Sequence, residues 1–133
     1  MRKSNVVIIG ASSGLGAGMA REFARRGHDL ALCARRLDRL QALKEELEAA
    51  HPGVRVLVEV LDVTDHARVF EVVRGFRAAF GELDRVVVNA GIGQGMPVGK
   101  GGFERNKAII ETNLIAALAQ CEAAMEVFRA QDR

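Results

Sequence analysis

Residues 10–16 of this sequence, GASSGLG, combine residue types that suit two different chemistries. The first part of the segment fits G-x-S-x-G, in which a sharp turn presents a serine, here Ser12, as a nucleophile. The glycines Gly10, Gly14 and Gly16 also fit G-x-x-x-G-x-G, a variant spacing of the turn that holds the diphosphate of a dinucleotide. The first interpretation predicts acyl transfer, and the second predicts cofactor binding.

The residues around the turn favour phosphate binding over nucleophilic catalysis. A serine nucleophile needs a histidine base and an acid that orients it. The compact candidates, Asp62 and His66, are separated by one helical turn at the end of a predicted strand. In hydrolases, the turn that carries the nucleophilic serine usually follows earlier strands and an oxyanion loop. Here, nine residues precede Gly10. We therefore predict a phosphate-binding turn, in which Ser12 and Ser13 donate hydroxyl groups or cap the helix.

Each glycine of the turn has its own predicted role. Gly10 permits the tight turn, Gly14 lets a phosphate approach the backbone, and Gly16 lets the following helix pack on the strand. The first N–H groups of that helix then point at the anion, and the helix dipole adds to the attraction. The alternative is a glycine-rich turn that binds no ligand.

Two hydrophobic periodicities alternate along the chain and predict the elements that position this turn. Short apolar runs predict four strands, at residues 6–9, 30–33, 54–61 and 83–88. Apolar residues at helical spacing predict the helices between them, through Leu15, Met19 and Phe23, then Leu40, Leu43 and Leu47, then Val69, Val72, Val73, Phe76 and Phe80. A glycine-rich loop over residues 91–102 leads to a long fourth helix at about residues 103–129.

The resulting order, β-α-β-α-β-α-β-α, predicts the fold class. Continuous apolar strands are typical of a parallel sheet that is covered by helices on both faces. Right-handed crossovers then favour a Rossmann-type, doubly wound parallel α/β sheet with strand order 3-2-1-4. We expect residues 1–133 to form a single domain, with the first turn at the point where ligands bind.

The composition excludes several classes of function. With 49% hydrophobic residues, a net charge of +2 and few aromatics, the chain is predicted to be globular and not to bind nucleic acid. Cys33 and Cys121 lie in apolar patterns without metal-ligand spacing, so we expect no metal and two buried thiols in a reducing cytosol. The sequence leaves no room for a signal peptide, and we expect no apolar run long enough to span a bilayer. A cytoplasmic protein with no membrane partner is expected.

Four motifs, in order, resemble those of the short-chain dehydrogenase/reductase (SDR) family of NAD(P)-dependent oxidoreductases. GASSGLG is similar to the cofactor turn of that family, and LDVTD at residues 61–65 to the acidic segment after its third strand. VNAG at residues 88–91 is similar to the family's N-N-A-G, and TNL at residues 112–114 to the asparagine-bearing stretch of helix four. The resemblance spans essentially the whole chain and implies interconversion of a small-molecule carbonyl and an alcohol by hydride transfer.

The resemblance also implies roles for individual residues. Asp62 would accept a hydrogen bond from the adenine amino group, and Asn113 would shape helix four and hold waters that serve a proton relay. The other implied cofactor contacts are Gly10, Ser12, Ser13, Gly14, Leu15, Gly16, Val63, Asn89, Ala90 and Gly91. Two alternatives stay open: Asp62 as a carboxylate at the start of helix three, and Asn113 as a residue that only bonds locally.

The residues after the second strand predict which cofactor is preferred. In NAD enzymes, a carboxylate about 18 residues after the position of Gly16 normally accepts from the ribose 2′-hydroxyl. Here Ala34 leaves no acid to repel a 2′-phosphate, and Arg35 and Arg36 follow as two cations that can hold it. A charge-assisted hydrogen bond contributes about 1.5–3 kcal/mol, or about ten- to over a hundred-fold in affinity. We expect NADP(H) to be preferred over NAD(H); the alternative is two solvated arginines that open helix two.

The chain also departs from the family pattern. Ile9 stands where the family usually has Thr, and Val88 where it usually has the first Asn. The family's Tyr-x-x-x-Lys pair is missing, because the sequence contains no tyrosine, so the general acid for a carbonyl oxygen is missing as well. We expect the chain to be the N-terminal, nucleotide-binding half of a longer enzyme and to be inactive alone. A partner that supplies the missing half, a non-catalytic dinucleotide-binding or redox-sensing module, and a remnant that binds nothing are the alternatives.

A stripe of apolar residues along helix four predicts assembly. It consists of Leu114, Leu118, Cys121, Met125 and Phe128. Because members of the family often dimerise through this helix, the resemblance implies a homo-oligomer. The alternative is that the stripe packs into the core of the same chain.

Overall fold

The structure is a computed structural model and describes residues 3–12, 14–91 and 95–131. Its sheet has four parallel strands in the order β3-β2-β1-β4. The strands are β1 Asn5–Ile9, β2 Asp29–Ala34, β3 Val56–Val60 and β4 Arg85–Val88. The helices are α1 Gly14–Arg25, α2 Leu37–Ala50, α3 His66–Phe80, α4 Phe103–Ile110 and α5 Ala116–Ala130, with a π-helical turn at Glu111–Ile115 that joins the last two. The predicted doubly wound parallel sheet and its strand order are confirmed.

The alternation of side chains along β1 builds a core on each face of the sheet. Val6 and Ile8 contribute to the core beneath α1 and α2, whereas Val7 and Ile9 contribute to the core beneath α3 and α5. All four side chains are buried, because β1 lies between β2 and β4. The carboxyl end of β1 therefore lies in the middle of the sheet, with the glycine turn directly after it.

Helix α3 shows how local sequence sets the ends of an element. The Asp65 side chain accepts a hydrogen bond from the backbone N–H of Arg68 at 3.3 Å and so caps the first turn. At the other end, Gly81 adopts a φ of 89°, and its N–H donates to the carbonyl oxygen of Arg77 at 2.8 Å. The predicted end of this helix at Gly81 is confirmed.

Two burial predictions are wrong, and in each case packing decides against the pattern. Leu15 was expected in the apolar stripe of the first helix but is 79% exposed, because Ala17, Ala20 and Ala24 form the buried face of α1. Cys121 is exposed, in contrast to the buried Cys33. Burial raises the pKa of the Cys33 thiol to about 12 and makes it inert near neutral pH.

The fourth strand is an edge strand. Among the described residues it pairs only with β1, and Val88 is 36% exposed, although the sequence of the strand is typical of an interior strand. An open apolar edge of this kind is a template for pairing with a further strand.

The predicted long fourth helix corresponds to α4, the π-helical turn and α5 together, and it is therefore interrupted. The predicted helix is present from Phe103 to Ala130, but its backbone widens into the π-helical turn at Glu111–Ile115. Its core-facing residues are Ala116, Gln120, Ala123, Ala124 and Val127. This helix is also long and apolar enough to cross a membrane by length and composition, so the expectation that no such run exists is wrong. Its contacts with α3 and β4 are those of a helix that packs on a sheet.

Candidate functional site

A cleft of about 600 Å³ opens at the carboxyl ends of the strands. Its walls come from the ends of β1, β2, β3 and β4 on one side and from α4 on the other. Nine of the predicted site residues line it: Gly10, Ser12, Arg35, Arg36, Asp62, Val63, Asn89, Ala90 and Gly91. Ligands of open α/β sheets bind in this position, where the strand order reverses.

The glycine turn has the predicted backbone geometry. Gly10 adopts a φ of 84°, and the N–H groups of Gly10 and Ala11 both donate to the carbonyl oxygen of Cys33, at 2.8 and 3.2 Å. Gly14 adopts a φ of 59°, and a Cβ added there would meet nothing within 4 Å. A Cβ on Gly16 would clash with the carbonyl oxygen of Gly10 and lie 2.9 Å from the Cα of Ala11. Gly16 thus permits close helix–strand packing, and Gly14 leaves open space at the start of α1, which fits a diphosphate.

Asn89 links the end of β4 to this turn. Its side-chain Nδ2 donates to the carbonyl oxygen of Gly10 at 3.1 Å. A Cβ on Gly10 would lie 2.9 Å from the backbone of Ala90, so the two segments approach closely. The Asn89 side chain therefore supports the shape of the turn, a role that its position in VNAG did not predict.

Asp62 is held at the rim of the cleft by the residue two positions later. Its Oδ1 accepts from the hydroxyl of Thr64 at 2.7 Å and from the backbone N–H of Thr64 at 2.9 Å. These two hydrogen bonds, together with the positive charge of Arg35, lower the pKa of Asp62. The cap of the third helix is Asp65 rather than Asp62.

The two predicted cations differ in their partners. Arg36 binds Asp38 through two contacts, Nε to Oδ1 at 3.2 Å and Nη2 to Oδ2 at 2.9 Å. Arg35 makes no such pair with any of the residues that the structure describes, and the charge it faces is that of Asp62. Both side chains are exposed and line the cleft just before α2. Arg35 is therefore the cation that is available to an anion in the cleft.

The remaining predicted site residues that the structure describes do not line the cleft. Gly14, Leu15 and Gly16 lie in the first turn of α1, and Ser13 lies outside the described residues. Asn113 lies in the π-helical turn, and its Oδ1 is 3.0 Å from the position of a Cβ on Gly91. Such turns are frequent at functional sites.

The described residues do not form a serine triad. Both hydrogen bonds to the Asp62 carboxylate come from Thr64. Among the described residues, no hydrogen bond joins Asp62 or His66 to Ser12. Nor do any three His, Cys, Asp or Glu side chains in the described ranges cluster as metal ligands do.

Sequence reasoning missed the wall of the cleft that α4 forms. Arg105, Ala108 and Thr112 line it, and their spacing of three and then four residues places them on one helix face. That spacing is readable in the sequence, since Thr112 belongs to TNL. The other missed lining residues are Ala34, Leu61 and Thr64.

The cleft's composition suits a negatively charged nucleotide. Three arginines and the Asp62 carboxylate line it, and the positive start of α1 follows two residues after Ser12. A family model described as short chain dehydrogenase matches residues 4–133. This chain belongs to the short-chain dehydrogenase family.

Known relatives of this chain include oxidoreductases. An uncharacterized oxidoreductase of Mycobacterium tuberculosis is 55% identical over 126 residues, which cover 95% of this chain and 50% of that protein. An NADP-dependent 3-hydroxy acid dehydrogenase of Salmonella typhi is 38% identical over 109 residues, or 81% of this chain and 42% of that protein. The chain thus spans about half the length of the curated relatives it matches.

A solved structure shares the architecture. The alcohol dehydrogenase of the archaeon Thermococcus sibiricus, complexed with 5-hydroxy-NADP, matches with a TM-score of 0.91 and 35% identity. The match covers 97% of this chain and 55% of that one.

Proposed function

We propose that this chain is the nucleotide-binding half of an NADP(H)-dependent short-chain oxidoreductase that interconverts a carbonyl and an alcohol. The observation that carries the proposal is the glycine turn, because Gly10 and Ser12 line the same cleft as Asp62 and Gly14 leaves open space at the start of the helix that follows them. The bound cofactor would supply or accept the hydride.

Different residues of the cleft would hold different parts of the cofactor. The turn from Gly10 to Gly16, with Ser12, would hold the diphosphate through backbone N–H groups. Asp62 has its Oδ1 saturated by Thr64, which leaves Oδ2 to accept from the adenine amino group, with Val63 beside the ring. The methyl group of Ala90 and the absence of a side chain at Gly91 would leave room for the adenosine.

The preference for NADP(H) rests on the end of β2. Ala34 lines the cleft where a carboxylate would repel a 2′-phosphate, and Arg35 follows as a cation that no described acid neutralises by an ion pair. An NADP-dependent relative and a neighbour complexed with an NADP derivative support this assignment.

Isothermal titration calorimetry with NADPH and NADH tests the proposal. We expect NADPH to bind about ten-fold or more tightly than NADH, and Arg35→Ala to remove most of that difference. Arg26→Ala, which removes an exposed arginine beyond α1, is the matched control and should leave both affinities unchanged. Equal affinities for the two nucleotides that Arg35→Ala does not alter would refute the NADP(H) assignment.

Catalysis requires groups that this chain does not hold. The sequence contains no tyrosine, so the phenol of the family's Tyr-x-x-x-Lys pair is not supplied by these residues. Asn113, beside Gly91 in the π-helical turn, would be the catalytic-group member that this half contributes. We expect this chain to bind NADPH without turning over a carbonyl substrate.

The lack of a phenol also favours a second candidate, a non-catalytic module that binds the dinucleotide and senses redox state. The two differ in the full-length gene product. An oxidoreductase should consume NADPH with a carbonyl substrate once a second half with tyrosine and lysine is present. A sensing module should bind NADPH and still show no turnover.

The π-helical turn and α5, which belong to the predicted fourth helix, offer a surface for self-association. Leu114, Leu118 and Met125 are exposed, and only Phe128 of the predicted stripe packs against the core. The alternative that the stripe is core packing is therefore wrong for most of its members. We infer that this face contacts a second copy of the chain in a cytoplasmic homo-oligomer.

A further inference from the structure

Helix α4 forms one wall of the cleft without a buried face of its own. Its residues Arg105 and Ala108 line the cleft opposite the ends of the strands. All eight residues of α4 are described, and none of their side chains is buried. Gly102, at the N-cap position, also provides no side-chain cap. Because a buried apolar face is what usually fixes a helix on its domain, the position of this wall depends on other contacts.

The side chain of Asn106 ties α4 to the loop that follows β4. Its Oδ1 accepts from the backbone N–H of Met96 at 2.8 Å, and its Nδ2 donates to the carbonyl oxygen of Met96 at 2.9 Å. One side-chain amide therefore satisfies both backbone groups of a loop residue, much as a neighbouring strand would. We call this pair of hydrogen bonds the Asn106 clamp.

Two glycines allow the loop to lie this close to the helix. A Cβ on Gly95 would lie 2.8 Å from Oδ1 of Asn106, and a Cβ on Gly102 would lie 2.5 Å from the Cβ of Met96. A side chain at either position would therefore push the loop away from the start of α4. The clamp is a close-packed contact and not a chance approach of two surface groups.

The loop also meets the helical segment at its other end. Gly91 lines the cleft, and a Cβ on it would lie 3.0 Å from Oδ1 of Asn113. Asn113 follows Asn106 by seven residues, or about two helical turns. The end of β4 and the wall formed by α4 are thus in contact at two points, and the Asn106 clamp is the one nearer the start of α4.

We propose that Asn106 is a positioning residue of the cleft, whose clamp on Met96 holds α4 at the distance from β4 that a bound dinucleotide needs. This inference rests on the proposed binding of NADP(H) in the cleft. Asn106 is not among the described residues that line the cleft, so it acts through α4 and the loop. Without the clamp, the nucleotide has to order both segments as it binds, and that ordering costs affinity.

Calorimetric titration of the chain and its variants with NADPH and NADH is the first test. Asn106→Ala should weaken both nucleotides equally, by about three- to ten-fold, because the clamp sets the shape of the cleft and not a contact with the 2′ position. Asn106→Leu keeps the size of the side chain but lacks both polar atoms, and it should weaken both nucleotides to the same extent.

Gln131 provides a matched control at the opposite end of the sheet. Its Oε1 accepts from the N–H of Leu83 at 2.7 Å, and its Nε2 donates to the carbonyl oxygen of Leu83 at 2.9 Å. Gln131→Ala thus removes the same pair of bonds just before β4 begins, away from the cleft. It should shift the midpoint of urea unfolding at least as much as Asn106→Ala does, and leave both affinities unchanged.

Hydrogen exchange measured by NMR provides a readout that a merely structural role would not change. Because coupling free energies are reciprocal, a clamp that favours NADPH must itself be favoured by NADPH. In the wild-type chain, saturating NADPH should therefore slow exchange of the Met96 N–H by about three-fold or more beyond its effect on the N–H of Leu83.

Thermal unfolding of each variant checks that the fold is retained. Unchanged affinities in Asn106→Ala or Asn106→Leu, an equal loss in Gln131→Ala, or equal slowing at Leu83 and Met96 would show that the clamp does not position the cleft. A loss confined to NADPH would also overturn the inference. In each of these cases the proposed function stands, whereas a wild-type chain that binds neither nucleotide would overturn both.

Discussion

The side-chain Nδ2 of Asn89 donates to the carbonyl oxygen of Gly10 at 3.1 Å and so ties the end of β4 to the turn that follows β1. A second asparagine makes the same kind of link at the opposite end of the sheet, where Nδ2 of Asn5 donates to the carbonyl oxygen of Glu82 at 3.0 Å. The two bonds are alike in chemistry, but only the first adjoins the cleft.

This pair allows stability to be separated from binding. We expect Asn89→Ala and Asn5→Ala each to lower the free energy of unfolding by about 0.5–1.5 kcal/mol, as measured by urea denaturation. Only Asn89→Ala should also weaken NADPH, because only that variant frees the Gly10 carbonyl and loosens the turn. A loss of NADPH affinity in Asn5→Ala of the same size would show that binding follows global stability instead.

Two glycines of α1 provide a second matched comparison. A Cβ at Gly16 would clash with Gly10 and crowd Ala11, whereas a Cβ at Gly18 would meet nothing within 4 Å. Gly16→Ala should therefore destabilise the chain by roughly 2–3 kcal/mol. Gly18→Ala should stabilise it by about 0.5–1 kcal/mol, because alanine is the better helix former. Chemical denaturation measures both, and equal effects would contradict the packing role of Gly16.

The Thr64 hydroxyl should control the acidity of Asp62. Because Thr64 lowers the pKa of this carboxyl from its ordinary value of 3.8, the ionised form contributes stability that is fully present above that value. The contribution is lost as the pH falls through the lower pKa of the folded state. Thr64→Val should raise the pKa of Asp62 toward 3.8, as carbon-detected NMR titration of the carboxyl would measure.

The same variant also has a stability signature. Its destabilisation relative to the wild type should be present at neutral pH and shrink as the pH falls below the pKa of folded Asp62. Thr112→Val, which removes a hydroxyl from another wall of the cleft, is the control and should leave the pKa of Asp62 unchanged. A pKa of Asp62 that does not move in Thr64→Val would contradict the hydrogen-bond account.

The exposed apolar face of the π-helical turn and α5 should govern self-association. Leu118 is 57% exposed, and Leu118→Glu places a charge in the middle of that face. We expect this variant to sediment as a monomer at concentrations where the wild type forms dimers or larger species. Leu37→Glu alters an exposed leucine at the start of α2 and should leave the sedimentation unchanged. Identical sedimentation of Leu118→Glu and the wild type would place the interface elsewhere.

The sequence by itself determined the parallel sheet, its strand order and the geometry of the glycine turn. These follow from local rules: short apolar runs alternate with helical spacing, and Gly10 and Gly16 occupy positions where a Cβ does not fit. The lining of the cleft by the ends of all four strands follows from that topology, because parallel strands bring their carboxyl ends to one edge.

Only the tertiary structure decided which side chains are buried and which charges are paired. Leu15 fits an apolar stripe but is exposed, since α1 packs through its alanines. Arg35 and Arg36 are adjacent in the sequence, yet Arg36 binds Asp38 while Arg35 forms no ion pair with any described residue. Such outcomes depend on where neighbouring helices lie and on which partner a long side chain reaches, and the spacing of residues along the chain does not specify either.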